Sequence, residues 1–256
     1  MTGAGFSYGA LALRQRHGAA GNFDPSALLP AAWYDPSDLS TLFQDSAGLV
    51  PVTAPGQPVG QMRDLSGSGH HLVQATASAR PVLQGDGQRL WLELDGVNDT
   101  LSCAVAPGDT PLTLIAGWEW QGDGAGSLGY EGIMAVYSGN SYSRALHCGP
   151  AGPGAQIVGA LSGSTVAQAT VPAGALVLRG RFAGVSGAFS IHAGETHAGA
   201  SSTSAPALPA TLAIGRGRNY SERAMGRFFG GLAWFSDLAA PEALAVEGWL
   251  AGRTRA

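Results

Sequence analysis

The sequence predicts an all-β protein, an antiparallel two-sheet sandwich with a short C-terminal helix and an N-terminal arm. Three observations predict it. Short strand-like runs recur from Arg89 to Phe235, separated by Gly, Pro, Asn, Asp and Ser, which is the rhythm of a sandwich and not of strand–helix–strand units. Charged residues make up only 12% and hydrophobic ones 45%, with 39 glycines and 15 prolines, so turns are frequent and long solvated helices few. A chain of 256 residues suits one large sandwich, or one sandwich with a short extension.

Residues 1–30 are rich in Gly and Ala, lack period-2 alternation and end at Asp24-Pro25-Ser26-Ala27-Leu28-Leu29-Pro30. Prolines at both ends of a short apolar group favour an extended connector. This segment is either a loose terminus or an arm that docks the domain, residues 31–256, onto something larger. Its basic cluster, Arg14 to His17, follows the mildly apolar Tyr8 to Leu13, the reverse of a secretion signal, so no export signal is expected. No apolar stretch approaches the length of a membrane span, and no membrane insertion is expected.

Trp33 to Phe43 reads as a strand, an Asp-Pro-Ser-Asp turn and a short helical turn that Asp38 or Ser37 can cap. Asp64 to His71 is a Gly/Ser-rich loop. Strands follow over Arg89–Asp95, Thr100–Val105, Leu112–Trp120, Gly132–Tyr137, Ser143–Cys148, Gln156–Leu161, Thr165–Thr170, Ala175–Phe182, Ala188–Ala193, Thr211–Ile214 and Phe228–Phe235. Between the first two, Asp95-Gly96 and Asn98-Asp99 write a tight turn. The last is a continuous apolar run beside paired glycines, as expected of a strand buried on both faces or packed close to another backbone. The Ser/Ala/Pro patch Ala198–Pro209 reads as a surface loop. Pro241 and Glu242 then open a short amphipathic helix whose face is Leu244, Glu247 and Leu250.

The net charge is −4, so no global field attracts nucleic acid, and DNA and RNA are not expected as partners. All 14 basic residues are arginine. Arginine grips carboxylate, sulfate or phosphate through a planar fork, although a GC-rich coding sequence also enriches Arg, Ala and Gly. Cys103 and Cys148 lie in separate strands, and a bond between them needs a Cα separation that sequence does not supply.

Several groups of residues can carry chemistry. Glu93 and Asp95, two apart on a strand, share a face, and paired carboxylates are the machinery of glycoside hydrolysis. The same Asp95, together with Asn98 and Asp99, is also explained by a turn in which Asx side chains bond their own backbone. These three offer oxygens to Ca²⁺ but are too few to define a site, so no metal or other cofactor is assigned. Trp118 and Trp120 share a face with Leu112, Leu114 and Ala116; Trp118 reads as core, and Trp120, at the strand's end, as the ring nearer a surface. Tyr130, Tyr137, Asn140, Tyr142 and Arg144 form a loop-centred cluster, rigid area with polar tips. Such a cluster serves a sugar site or a contact between subunits equally well. The segment Gly215–Arg227 concentrates Arg216, Arg218, Arg223 and Arg227 around Tyr220, and it is either an anion grip or a solvated connection. The six histidines form no metal pattern, and no nucleophile elbow, phosphate loop or Cys-x-x-Cys occurs.

The Trp91-Leu92-Glu93-Leu94-Asp95-Gly96-Val97-Asn98-Asp99 strand and turn, with the late Phe228–Phe235 strand, resemble the laminin-G-like and concanavalin A-like lectin/glucanase superfamily. The resemblance implies a jelly-roll sandwich that binds glycans and less often cleaves them. The laminarinase-like hydrolases of this fold carry E-x-D-x-(x)-E; Glu93-Leu94-Asp95 matches its first three positions, but the third glutamate is absent. A second ordered set, Trp33–Asp45, Val52–Gly60, Asp64–His71 and Ala79–Leu83, resembles the leader of phage and prophage structural proteins that carry such a module. It implies a non-enzymatic spike, fibre or decoration of a phage or phage-like particle, assembled in the bacterial cytoplasm. Its partners would be host surface glycan and, through the arm, other particle proteins, with homo-oligomers supplying multivalency. On that reading Trp120, Tyr130, Tyr137, Tyr142, Arg144, Arg216, Arg218 and Tyr220 are the carbohydrate-binding candidates. The alternative is a glycoside hydrolase or lyase acting on capsular or cell-wall polysaccharide.

Overall fold

Period-2 alternation becomes two facing antiparallel sheets in the computed structural model, which describes residues 23–122, 131–138, 142–184, 187–202, 210–217 and 223–255. The strands in the first half are β1 Ala32–Tyr34, β2 Leu42–Phe43, β3 Gln61–Met62, β4 Leu72–Val73, β5 Val82–Gly85, β6 Leu90–Asp95, β7 Leu101–Val105 and β8 Leu112–Trp120. Then come β9 Glu131–Ser138, β10 Tyr142–Gly152, β11 Ala155–Ser162, β12 Thr165–Pro172 and β13 Ala175–Phe182. β14 Gly187–Ala193, β15 Thr196–Ser202, β16 Ala210–Ile214, β17 Met225–Trp234 and the helix α1 Ala240–Thr254 complete the order. Sheet A runs β15-β14-β13-β8-β17-β6-β5, with β1 also pairing β17; sheet B runs β12-β11-β10-β9-β16-β7-β4-β3-β2. The fold is the predicted antiparallel jelly-roll sandwich with a C-terminal helix.

The inner faces make one core. Sheet A contributes Leu92, Leu94, Leu114, Trp118, Leu178, Phe182 and Phe228, and sheet B Met134, Val136, Leu146, Val158 and Leu212. Each large apolar side chain buried this fully is worth about 1.5–3 kcal/mol, which is why the alternating residues dictate which face turns inward. β17 lies mid-sheet between β8 and β6 and is buried on both faces because α1 covers the outer one, packing Ala243, Val246 and Leu250 on Ile115, Leu232 and Trp234. Its ladder with β8 slips between Phe228 and Gly230. Gly230 takes φ +140 there, and a Cβ would sit 3.0 Å from the Tyr34 carbonyl oxygen, so the paired glycines mark a bulge under a close backbone.

Local chemistry follows the sequence at several turns. Asp35 Oδ1 accepts the Ser37 amide at 2.9 Å, and Asp38 caps the next helical turn through the Ser40 amide at 3.1 Å. Glu242 accepts the Ala239 amide at 3.2 Å in the first turn of α1. The helix face differs from expectation. Leu244 is 57% exposed, and the buried stripe is Ala243, Val246, Leu250 and Thr254. Small Ala243 lets the axis approach the sheet, whereas Leu244 lies about 100° round the helix. Residues 198–202, read as loop, belong to β15, where His197 stands opposite His192; an Ala/Gly/Ser run carries little strand propensity of its own, and the β14 hairpin supplies the pairing. Residues 25–28 form a 3-10 turn and not an extended connector, because Asp24 accepts the Ser26 amide at 2.9 Å. Leu28 then accepts a hydrogen bond from Trp234 Nε1 at 2.8 Å. Cys103 and Cys148 are both free thiols. No described helix is long and apolar enough to cross a membrane.

Candidate functional site

On β9, Met134 and Val136 point into the core, which leaves Ala135 and Tyr137 on the outer face of sheet B. Register brings Ala145 of β10 and Ala213 of β16 alongside Ala135, and Leu161 of β11 completes a buried cluster on that face. Its small residues admit neighbours closely. A Cβ on Gly159 would collide with the His147 ring, and a Cβ on Gly132 with the backbone of Arg216 and Gly217. A sheet face written in Ala and Gly is one against which other groups pack at short range.

The segment after β16 is what approaches. Gly215, at φ +81, donates its amide to the Ile133 carbonyl at 3.0 Å and accepts from the Ala224 amide at 3.3 Å. Arg216 and Arg223 pair as an antiparallel bridge, and Arg223 also bridges to Gly132. From this anchored position the Arg216 guanidinium lies 4.9 Å from the centre of the Tyr137 ring. The ring face attracts the cation, an interaction worth about 0.5–2 kcal/mol. His147, opposite Gly132 in the β9–β10 ladder, is buried, and burial pushes its imidazole down to about 4, so it is neutral at physiological pH.

Of the residues singled out in the sequence, the structure brings together Tyr137 and Arg216. Tyr142 continues the same β9–β10 ladder opposite Ser138. Arg144 is inside, 1% exposed, with Nη1 donating to the Thr110 carbonyl at 2.8 Å, and burial lowers it to about 10. It shares the strand face of Leu146 and so ties the turn before β8 to the sandwich. Trp120 is half-buried and donates Nε1 to Glu131 Oε2 at 3.2 Å; the same oxygen accepts the Met225 amide at 2.9 Å. Tyr130, Arg218, Tyr220 and Asn140 lie outside the described residues. Glu131 stands at the head of an apolar run and His147 between Leu146 and Cys148, and no local motif marks either; only the third dimension shows what surrounds them.

The Glu93 and Asp95 carboxylates are committed elsewhere. Glu93 Oε2, on the outer face of sheet A, accepts Trp91 Nε1 at 2.6 Å and lies 3.4 Å from Arg227 Nε, while Arg227 Nη1 lies 3.3 Å from Glu119. Asp95 Oδ1 accepts the amides of Val97, Asn98 and Asp99 at 2.8, 3.2 and 3.3 Å, and Asp99 Oδ2 returns the favour to the Asp95 amide at 3.1 Å. The turn explanation therefore accounts for these residues. Asp99 is 7% exposed, and burial, aided by the Asp95 charge, pushes it up to about 6. A carboxyl raised in the folded state adds stability that is present below its unfolded value near 4 and is lost as pH rises through about 6. Asp99→Asn, which keeps an acceptor without the charge, is expected to stabilise the protein by up to about 2–3 kcal/mol above pH 6 and to add nothing near pH 3. Urea unfolding at both pH values checks this; an equal gain at both would refute it.

No protein-family model matches the sequence, and neither does any curated protein. Among solved structures the chain is similar to an arabinofuranosidase complexed with arabinofuranosyl-α-1,2-xylobiose, with TM-score 0.62 and 12% identity, over 91% of this chain and 65% of that one. It is similar also to a Glu→Gln mutant of a GH54 α-L-arabinofuranosidase soaked with 4-nitrophenyl α-L-arabinofuranoside, with TM-score 0.61 and 12% identity, over 91% and 66%. A botulinum neurotoxin DC binding domain in complex with SialylT gives TM-score 0.49 and 7% identity, over 74% and 48%. The chain thus spans about two thirds of the length of the arabinofuranosidase structures. At these identities the likeness is one of fold: this chain shares the β-sandwich of the arabinofuranosidases.

Proposed function

We propose that this chain is a non-enzymatic carbohydrate-binding sandwich that meets polysaccharide at the Tyr137–Arg216 corner of sheet B. The observation that carries the reading is the half-buried Arg216 guanidinium 4.9 Å from the centre of the Tyr137 ring, itself 8% exposed, on the outer face of sheet B. A pre-set planar fork loses little freedom on gripping hydroxyl or acidic groups of a sugar. In keeping with the resemblance of the leader segments, the module serves as a spike, fibre or decoration of a phage or phage-like particle. There residues 1–30 join it to other particle proteins, and homo-oligomeric copies turn weak sites into firm adhesion to host surface glycan.

Arg216→Ala and Tyr137→Ala are each expected to weaken adhesion to acidic polysaccharide by about 10-fold, the scale of one lost cation–π or charge-assisted contact. Surface plasmon resonance on immobilised capsular polysaccharide reads this directly, and unchanged adhesion in both variants rejects the site.

A glycosidase is the second reading, favoured by one observation. Glu131, 3% exposed, and Asp99, held near 6, are two carboxyl groups in unlike environments, the pattern of an acid and its partner. Both relate to Arg223, Glu131 as the neighbour of Gly132 in the Gly132–Arg223 bridge and Asp99 through its attraction to that guanidinium. Incubation with 4-nitrophenyl α-L-arabinofuranoside, β-glucan and capsule is expected to release no product. Turnover that disappears in Glu131→Gln, or in Glu93→Gln, would replace the binding role with an enzymatic one.

A further inference from the structure

We infer that the sandwich carries a second sugar subsite, specific for a neutral monosaccharide ring, at the Arg181–Asp237 end of sheet A. The inference rests on the carbohydrate-binding reading and adds to it a place and a ligand class. A cavity of about 370 Å³ opens there, the lower end of the range for small-ligand sites and room for one sugar ring. Its polar groups converge from three elements. Arg181 of β13 grips Asp237, in the loop after β17, with Nε 2.8 Å from Oδ1 and a second close contact from Nη2 to Oδ2. Ser190 of β14 stands opposite Arg181 in the ladder, its hydroxyl 3.2 Å from His192 Nε2. Pro111, Ala183 and Ala188 supply an apolar wall, while the neighbouring Phe182 and Phe189, stacked at 5.9 Å, are buried in the core.

Charge decides the ligand class. The guanidinium and carboxylate neutralise each other, so the site offers no net positive charge to an acidic sugar, and a ligand carboxylate would have to displace Asp237 from a bidentate fork. A vicinal diol has no such conflict: one hydroxyl accepts from the guanidinium edge and donates to the carboxylate, and the next reaches Ser190, while the C–H face of the ring meets Pro111, Ala183 and Ala188. Arg181 and Asp237 retain side-chain exposures of 42% and 54%, so their outer edges are accessible to such a ligand. The subsite is independent of the Tyr137–Arg216 corner. Arg181 stands opposite Thr113 at the start of β8 in sheet A, whereas Tyr137 and Arg216 lie on the outer face of sheet B.

The test titrates the whole protein with D-glucose, D-galactose, L-arabinose and D-glucuronate, following the amide and Arg Nε signals by two-dimensional NMR. At least one neutral sugar is expected to shift Ser190 and Arg181 with a Kd of order millimolar, and glucuronate to bind more weakly. Asp237→Ala should weaken that binding about 10-fold or more, and Ser190→Ala, which leaves the ion pair intact, should weaken it several-fold; Arg216→Ala should leave it unchanged. No shift in the cavity with any neutral sugar, tighter binding of glucuronate, or equal affinity in Asp237→Ala and Ser190→Ala would overturn the subsite. If Arg216→Ala still loses polysaccharide adhesion in that event, the failure belongs to the subsite alone; if adhesion too is unaffected, the carbohydrate-binding reading falls with it.

Discussion

Glu247→Ala is expected to cost about 3–5 kcal/mol, the toll of leaving one member of a buried ion pair unmatched. Arg179 of β13 and Glu247 of α1 approach to 3.0 Å with side-chain exposures of 9% and 16%. Neither of these facing atoms makes a hydrogen bond of good geometry among the described residues, so the attraction is coulombic and short of ideal. Burial accordingly raises the Glu247 carboxyl above its ordinary value, with Arg179 only partly opposing it. By the sign of that shift, the pair is a net cost at neutral pH relative to acid, yet removing the acid alone strands a guanidinium under the helix. The Arg179→Met, Glu247→Leu double variant is therefore expected to recover most or all of the loss, since well-packed apolar residues often replace a buried pair without penalty. Urea melts of the two single variants and the double one decide the matter. Additive losses would mean that the charges act separately and that α1 is not clamped by them.

Gly132→Ala is expected to destabilise the fold by about 2–3 kcal/mol or more and to abolish polysaccharide adhesion. A methyl at that position falls on the Arg216 carbonyl carbon and the Gly217 amide, backbone atoms that cannot swing aside as a side-chain tip would. The strand must bend or the Gly215–Gly217 segment must lift, and lifting it carries Arg216 off the Tyr137 ring. Thermal unfolding and adhesion should fall together. A Gly132→Ala protein that melts normally and adheres normally would show that the loop does not depend on this close approach. Chemically the two predictions are complementary: one removes a partner from a crowded site, the other adds a methyl where none fits.

Much of the fold was legible in the chain, and the reason can be read element by element. β8 and β13 begin and end where periodicity put them, at Leu112–Trp120 and Ala175–Phe182, because each places large apolar residues on alternate positions between turn-forming ones. The Asp95–Asp99 turn was equally plain, since Asx side chains bond the backbone a few residues away. β15 was not, because Ala, Gly and Ser carry no strong preference and take their pairing from β14. The helix face was misjudged at Leu244 because hydrophobicity alone does not say which side of a short helix lies toward the sheet; packing against Ile115, Leu232 and Trp234 does.

The candidate site divides along the same line. Local sequence was enough to mark Tyr137 and Arg216 as rigid, polar-tipped groups, because side-chain chemistry is a property of the residue. It was not enough to separate them from Arg144, which parity and the turn at Thr110 draw inside, nor to join residues 79 positions apart. Composition, alternation and turn chemistry determined by themselves a two-layer antiparallel sandwich ending in a helix, since those are short-range properties written in consecutive residues. Which face is roofed by α1, which arginine rests on a ring and which is buried, and where a cavity opens were decided by tertiary structure alone. These depend on strand order and register, which bring together groups that the chain keeps far apart.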